Sequence, residues 1–209
     1  GVVLSSDLAL SKGQNIFQVG TNLFSYVPGQ GVYGYDTKTK KLSQAAKNDS
    51  TWGKITDWAV YTTNAYALDS GNSTIWRYTP ATAAQFGKST AWMRGEGSIQ
   101  AASSLSVDGS VWVAEGGELF KFVRGKKESF LLQGIEPAPT GVTSVYTSQE
   151  AKNIYLLEAG RLVVVDKTGL YLSQYTSDKL QKATSLLVDE AGKKTYILAG
   201  SEILLLELR

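Results

Sequence analysis

Short runs of Val, Ile, Leu, Tyr and Trp alternate along the whole chain with tight clusters of Gly, Asp, Asn and Ser. No stretch holds the 3.6-residue spacing of an amphipathic helix over a comparable length. Runs such as ITDWAVYTT, NAYALDS and TIWRYTP, or NIYLLEAG, RLVVVDKTG and LYLSQYTS, read as strands closed by turn residues. They recur in sets. An aromatic marks the second run of each set, at Phe24, Tyr66, Trp112, Tyr155 and Tyr196, spaced 42, 46, 43 and 41 residues apart. DTKTKK and FVRGKKES carry the polar and Gly residues of hairpin turns.

Four-stranded units of this length cannot bury both faces of one small sheet alone, so they must stack on neighbours. The expected fold is therefore all-β, a five-bladed β-propeller of four-stranded antiparallel blades in one domain. The blades are expected at about 13–47, 52–94, 97–134, 139–178 and 180–209. The last repeat offers three strands, and VVLSSDLAL precedes the first repeat without a partner there. A strand at about residues 2–10 is accordingly expected to pair outside EILLLELR and complete the last blade, removing an open edge. A monomer is expected.

RLVVVDKTGLYLSQY resembles the third-strand, turn and fourth-strand pattern of NHL-type blades, and NAYALDSGNSTIWRY is similar. NHL-like propellers have six blades as a rule, so a count of five departs from the pattern. Similar runs also look like propeller modules of larger bacterial signalling or surface proteins. The resemblance implies a binding or interaction module rather than an enzyme.

Composition narrows the chemistry. The 209 residues contain no cysteine and no histidine, which removes disulfides, thiolate and imidazole catalysis, and Cys- or His-based metal sites. Lys and Arg number 21 against 19 Asp and Glu, a balance that gives no basic face for nucleic acid. No run approaches the roughly 20 apolar residues of a membrane-spanning helix. The opening Gly, with no signal-peptide n-region, suggests a stretch of a larger parent, conceivable as an extracytoplasmic part of a membrane-anchored protein. GQGVYG lacks the strand–GxGxxG–helix setting of a dinucleotide site. No cofactor, metal or catalytic residue is assigned.

Aligning the repeats on the aromatic column gives one polar set near the start of the first strands: Asn15, Asp57, Ser103, Ser144 and Ser185. They would surround a channel mouth, or else satisfy backbone groups there. A second set, Asp69, Glu115 and Glu158, falls at the turns between second and third strands, with Val27 and Ala199 in the other blades. These could form a mildly acidic rim; the competing reading is turn chemistry, with side-chain oxygens bonding nearby amides. Trp76 aligns with Phe120, Val163 and Leu204, and Trp58 with Ile16, Val145 and Leu186, as packing residues, Ser104 breaking the second set. Trp52 and Trp92 have no counterparts and are candidates for a binding surface, or for filling blade junctions.

The expected function is a non-catalytic binding or protein-interaction module, taking a protein or a small polar ligand such as a glycan at one face. A glycan-binding lectin is the alternative. A five-bladed glycoside hydrolase is a further one, with Asp57 as the channel-strand carboxylate.

Overall fold

The computed structural model describes residues 12–82, 85–95 and 97–209, so the strand expected at 2–10 lies outside the described residues. The chain falls into two compact units, one reaching to Met93 and the other beginning at Arg94. Among the described residues the strands gather into five antiparallel blade sheets and one small ribbon.

The first unit holds two blades. Blade 1 runs β1 (Gln14–Val19), β2 (Asn22–Val27), β3 (Gly31–Asp36) and β4 (Lys41–Lys47) in sequence order. Blade 2 runs β5 (Ile55–Tyr61), β6 (Asn64–Asp69) and β7 (Thr74–Tyr78). Its outer place is taken by β10 (Thr90–Ala91), after a ribbon of β8 (Pro80–Thr82) and β9 (Gln85–Phe86).

The second unit holds three. Blade 3 comprises β11 (Ala102–Val107), β12 (Val111–Glu115), β13 (Glu118–Val123) and β14 (Lys126–Glu128). Blade 4 comprises β15 (Val142–Tyr146), β16 (Asn153–Glu158), β17 (Arg161–Asp166) and β18 (Tyr171–Thr176). A 3-10 turn at Asp178–Lys182 leads into blade 5, with β19 (Ala183–Asp189), β20 (Lys194–Ala199) and β21 (Glu202–Glu207). Among the described residues, no helix is long and apolar enough to cross a membrane.

Burial on both faces explains the sequence of the middle strands. NIYLLE and RLVVVD are apolar at consecutive positions because alternate side chains enter different blade junctions. Tyr155, Leu157, Leu162 and Val164 leave blade 4 on one side and pack on Leu186, Val188 and Ile197 of blade 5. Ile154, Leu156, Val163 and Val165 leave it on the other and pack on Trp112, Ala114 and Leu119 of blade 3. In the first unit, Phe17, Phe24 and Tyr26 of blade 1 meet Trp58, Ala65, Ala67 and Tyr78 of blade 2. Phe17 and Trp58 stack there at 5.3 Å between centroids, 4° from parallel. Each such side chain contributes roughly 1.5–3 kcal/mol on burial.

The turns follow their residues. Asp36 Oδ1 accepts the backbone N–H of Lys38 and Thr39 in the DTKT hairpin, and Asp166 Oδ1 accepts those of Thr168 and Leu170 in DKTG. Arg124 and Gly125 both have positive φ, 51° and 86°, as a two-residue type I′ hairpin requires.

One regular feature escapes the repeat alignment. The first strand of every blade shifts register near its start, at Asn15, Thr56, Ser103, Thr143 and Thr184. In blades 2 to 5 the shift falls inside a recurring triplet: Ile55-Thr56-Asp57, Ala102-Ser103-Ser104, Val142-Thr143-Ser144 and Ala183-Thr184-Ser185. The extra residue carries a hydroxyl. Thr56, Ser103 and Thr143 each turn it to a carbonyl of their own second strand, at Leu68, Ala114 and Leu157. Ser103 also donates to Val142 O at 2.6 Å, and Thr143 to Ala183 O at 3.5 Å, tying one blade to the next. The bulge corrects the packing set as well. The residue across from Val113 is Leu105, not Ser104, so Trp58, Leu105, Val145 and Leu186 form one buried apolar column, whereas Ile16, expected to pack with them, is 77% exposed.

Candidate functional site

The polar column expected at the first strands belongs to two registers. Asn15 and Ser103 are bulge residues, whereas Asp57, Ser144 and Ser185 follow the bulge by one. Ser103 spends its hydroxyl on the two carbonyls above, Ser144 is buried, and Ser185 is exposed. Asn15 and Asp57 do come together: the Asn15 amide donates to Asp57 Oδ1 at 2.8 Å, and the same oxygen accepts Trp58 N–H at 2.8 Å. Asn15 holds φ at 55°, a left-handed conformation that asparagine tolerates better than most residues.

The second set is built into the loops. Asp69 is fully buried and accepts five hydrogen bonds, from Gly53 N, Lys54 N, Asn72 N, Asn72 Nδ2 and Trp76 Nε1, at 2.9–3.1 Å. Burial pushes its carboxyl upward, but the Trp76 indole and the Gly53 and Asn72 amides outweigh that and hold it below the ordinary aspartate range. Glu115 accepts Ala101 N at 2.6 Å, and Glu158 accepts Thr140 N at 3.3 Å while paired with Arg161 Nε at 2.7 Å. In three blades, then, the last carboxylate of the second strand clasps the loop that enters the same blade's first strand. That is turn chemistry, repeated.

The Asp69 clasp shapes a cavity. Gly53 and Lys54, the amides it holds, form one lip of a space of about 420 Å³ between blades 1 and 2, whose other lip is Pro28 and Gly29. Tyr26 and Trp52 stand edge to face in its wall at 5.9 Å, and the amide side chains of Gln14 and Asn48 line it. Trp52 is half-buried, and its indole N–H donates to Tyr78 OH at 2.8 Å. Burial raises the Tyr78 hydroxyl to about 12, so it remains a neutral partner. The loop around Trp52 is held further by Asp49, whose Oδ1 takes Thr51 N and Oγ1, and by Asn72 Nδ2 on Thr51 O. Thr51's backbone bond is the main cause of Asp49's lowered carboxyl. A cavity with one lip and its Trp52 wall fixed by these bonds loses little freedom on binding. Trp92, the other unmatched tryptophan, packs edge-on against Tyr66 at 5.9 Å and bonds Ile75 O through its backbone N–H. It seals blade 2.

Sequence reasoning missed two features of the second unit. A wider groove of about 700 Å³ lies between the hairpin turns of blades 4 and 5, with mixed charge from Glu150, Lys152, Lys193 and Arg209. Glu190 bridges it, accepting from Lys152 N, Asn153 N and Tyr155 OH at 2.8–3.0 Å. Lys167 pairs with Asp108 at 2.5 Å and with the Thr147 hydroxyl, joining blades 3 and 4. Lys152 and Lys193 stand 41 residues apart, at the repeat spacing, but the contacts of Glu190 and Lys167 cross from one blade to the next, which alignment of the repeats does not show.

No protein-family model matches the chain, and no curated protein sequence matches it. Solved structures do. PorZ, an essential bacterial surface component of the type-IX secretion system of Porphyromonas gingivalis, superposes over 98% of this chain with a TM-score of 0.66 and 14% identity. The fold is a five-bladed β-propeller. This propeller also resembles the computationally designed protein Ika4, at TM-score 0.54 and 15% identity over 80% of this chain and 99% of Ika4. A chain of the nidogen–laminin complex matches at TM-score 0.65 and 8% identity, over 90% of this chain and 72% of that one. At such identities the likeness speaks for the fold alone. The propeller spans about a quarter of the PorZ chain, 26%.

Proposed function

We propose that this propeller is a non-catalytic binding module with NHL-like blades, the interaction-bearing part of a larger bacterial protein with an extracytoplasmic location, and that it takes its ligand at the Trp52 cavity. One observation carries the reading: an aromatic-walled, amide-lined cavity with one lip, Gly53 and Lys54, pinned by the buried Asp69 carboxylate. Its volume falls within the ordinary range for ligand pockets. Half-buried tryptophans of this kind are frequent anchors of protein contacts. Support of a coarser sort comes from PorZ, a surface component, and from nidogen, solved in complex with laminin.

The ligand is a protein segment that seats a side chain against Trp52, beside the amides of Gln14 and Asn48. Peptides selected by display on this chain are expected to lose affinity by about tenfold or more in Trp52→Ala and to keep it in Trp92→Ala. Equal binding by the wild type and Trp52→Ala refutes the assignment. The Trp52 ring beside the amides of Gln14 and Asn48 also suits a sugar, which stacks on an aromatic and bonds amides. Hits on a glycan array that vanish in Trp52→Ala, with no peptide selected, would establish that second reading.

A further inference from the structure

The loop that carries Trp52 also places a charge at the cavity between blades 1 and 2. Among the described residues that line it, Lys54 alone is ionised at neutral pH. Its backbone is held from both sides: the N–H donates to Asp69 Oδ1 at 2.9 Å, and the carbonyl accepts from Ser70 N at 2.9 Å. A Cβ on Gly71 would stand 2.3 Å from Lys54 N, so only glycine there lets the two loops lie this close. The side chain itself is exposed, and among the described residues it enters no ion pair. The acids of the same loops are engaged elsewhere. Asp69 is filled by its five donors, and Asp49 turns its Oδ1 to Thr51.

A second group in the wall is also unspent. Tyr26 lines the cavity and is only 6% exposed, yet among the described residues its hydroxyl makes no hydrogen bond. Burial, and then the negative charge of Asp69, push that hydroxyl above the ordinary tyrosine value, so it stays protonated and able to donate. A buried hydroxyl without a partner costs free energy that an incoming acceptor recovers. The amide side chains of Gln14 and Asn48 add neutral donors to the same space. The backbone N–H groups of Gly53 and Lys54, which would otherwise help to cradle a phosphate, already point to Asp69. One ammonium among neutral donors suits a single negative charge.

We infer that this cavity selects an acidic protein segment, whose Asp or Glu carboxylate is taken by Lys54 Nζ and the Tyr26 hydroxyl. The inference rests on the reading of the Trp52 cavity as the binding site and names the segment that site takes. Trp52 supplies contact area, and Lys54 sets the specificity. A charge-assisted bond made against an aromatic wall is stronger than one on an open surface, because less water competes for it.

The test uses peptides selected by display on the 209-residue chain, resynthesised with amidated C-termini so that only side chains carry carboxylates. The selected peptides should share one acidic position. Changing that Asp to Asn, or Glu to Gln, is expected to weaken binding about tenfold. Lys54→Met leaves the backbone bonds to Asp69 and Ser70 in place and should weaken the original peptide by a similar factor. Against Lys54→Met the acid-to-amide change should then cost about twofold or less. Lys54→Arg keeps the charge and should restore most of the affinity, while Tyr26→Phe should lose about threefold or more. Raising salt from about 0.05 to about 0.5 M should weaken binding to the wild type and hardly affect Lys54→Met. Peptides that need Trp52 but share no acidic position, or acidic peptides indifferent to Lys54→Met, overturn the inference and leave the Trp52 reading standing. Binding that follows Lys54 and not Trp52 keeps the carboxylate site and removes the anchor. Binding only with a free C-terminus, tighter binding of phosphoserine at the acidic position, or peptides that depend on neither residue overturn the inference as well.

Discussion

The sharpest test of the clasp is Asp69→Asn, which keeps shape and removes charge. Oδ2 accepts from Gly53 N, Asn72 Nδ2 and Trp76 Nε1, and Oδ1 accepts from Lys54 N and Asn72 N. Whichever way the new amide turns, its NH2 group faces at least two donors at less than hydrogen-bonding comfort, and no water reaches a side chain that is 0% exposed. Losing a charge-assisted bond costs about 1.5–3 kcal/mol, and stranding a buried donor about 1–3 kcal/mol, so a total of about 3–5 kcal/mol follows once non-additivity is allowed for. Urea unfolding reads this as the shift in midpoint multiplied by the m-value, with fluorescence and circular dichroism checked for coincidence. The pH dependence gives a second readout. Asp69's carboxyl is depressed in the folded chain, so its contribution is full above the ordinary aspartate value. It is lost as pH falls through the lower folded value. The gap between wild type and Asp69→Asn should therefore narrow as the pH falls below about 4. A loss under about 1 kcal/mol at neutral pH, or a gap that does not narrow in acid, would refute the reasoning.

Other outcomes follow from single positions. Thr195 is fully buried on the inner face of blade 5 with a hydroxyl that has no partner, so Thr195→Val should be neutral or stabilise by about 1 kcal/mol in urea unfolding. Gly169 sits at φ +94° with Leu131 O only 2.2 Å from where a Cβ would stand, because the loop after blade 3 bonds the 166–170 turn through Gln133. Gly169→Ala should cost about 2 kcal/mol or more, seen as a lowered melting temperature. Trp58→Ala removes the ring that Phe17 stacks on and should cost about 3–5 kcal/mol, measured by calorimetry. Trp76→Phe keeps the packing but takes one donor from Asp69, so it should cost less than Asp69→Asn in the same urea titration.

Several levels of this protein could be read from its residues alone. Strand identity was legible because the signals are local: alternation, aromatic and β-branched runs, and Asp, Asn and Gly where Asp36, Asp166 and Gly125 make the hairpins. Repetition was legible too, since the aromatic column from Phe24 to Tyr196 recurs at blade length, and a small sheet with two apolar faces has to stack. What the residues could not disclose was register at the start of each first strand. A bulge adds one residue without changing composition, so Ser103 and Asp57 read as one column although only Ser103 is the extra residue. The recurring triplets ITD, ASS, VTS and ATS were the available signal. Tertiary structure alone decided what the carboxylates do. Asp69, Glu115 and Glu158 look alike as turn acids, and it takes the incoming loop, 14 to 18 residues away in sequence, to turn them into clasps. It also decided that Trp52 walls a cavity while Trp92 seals a sheet, because an aromatic's role depends on the elements that arrive beside it, and those contacts are set by the stacking of whole blades rather than by any local run of residues.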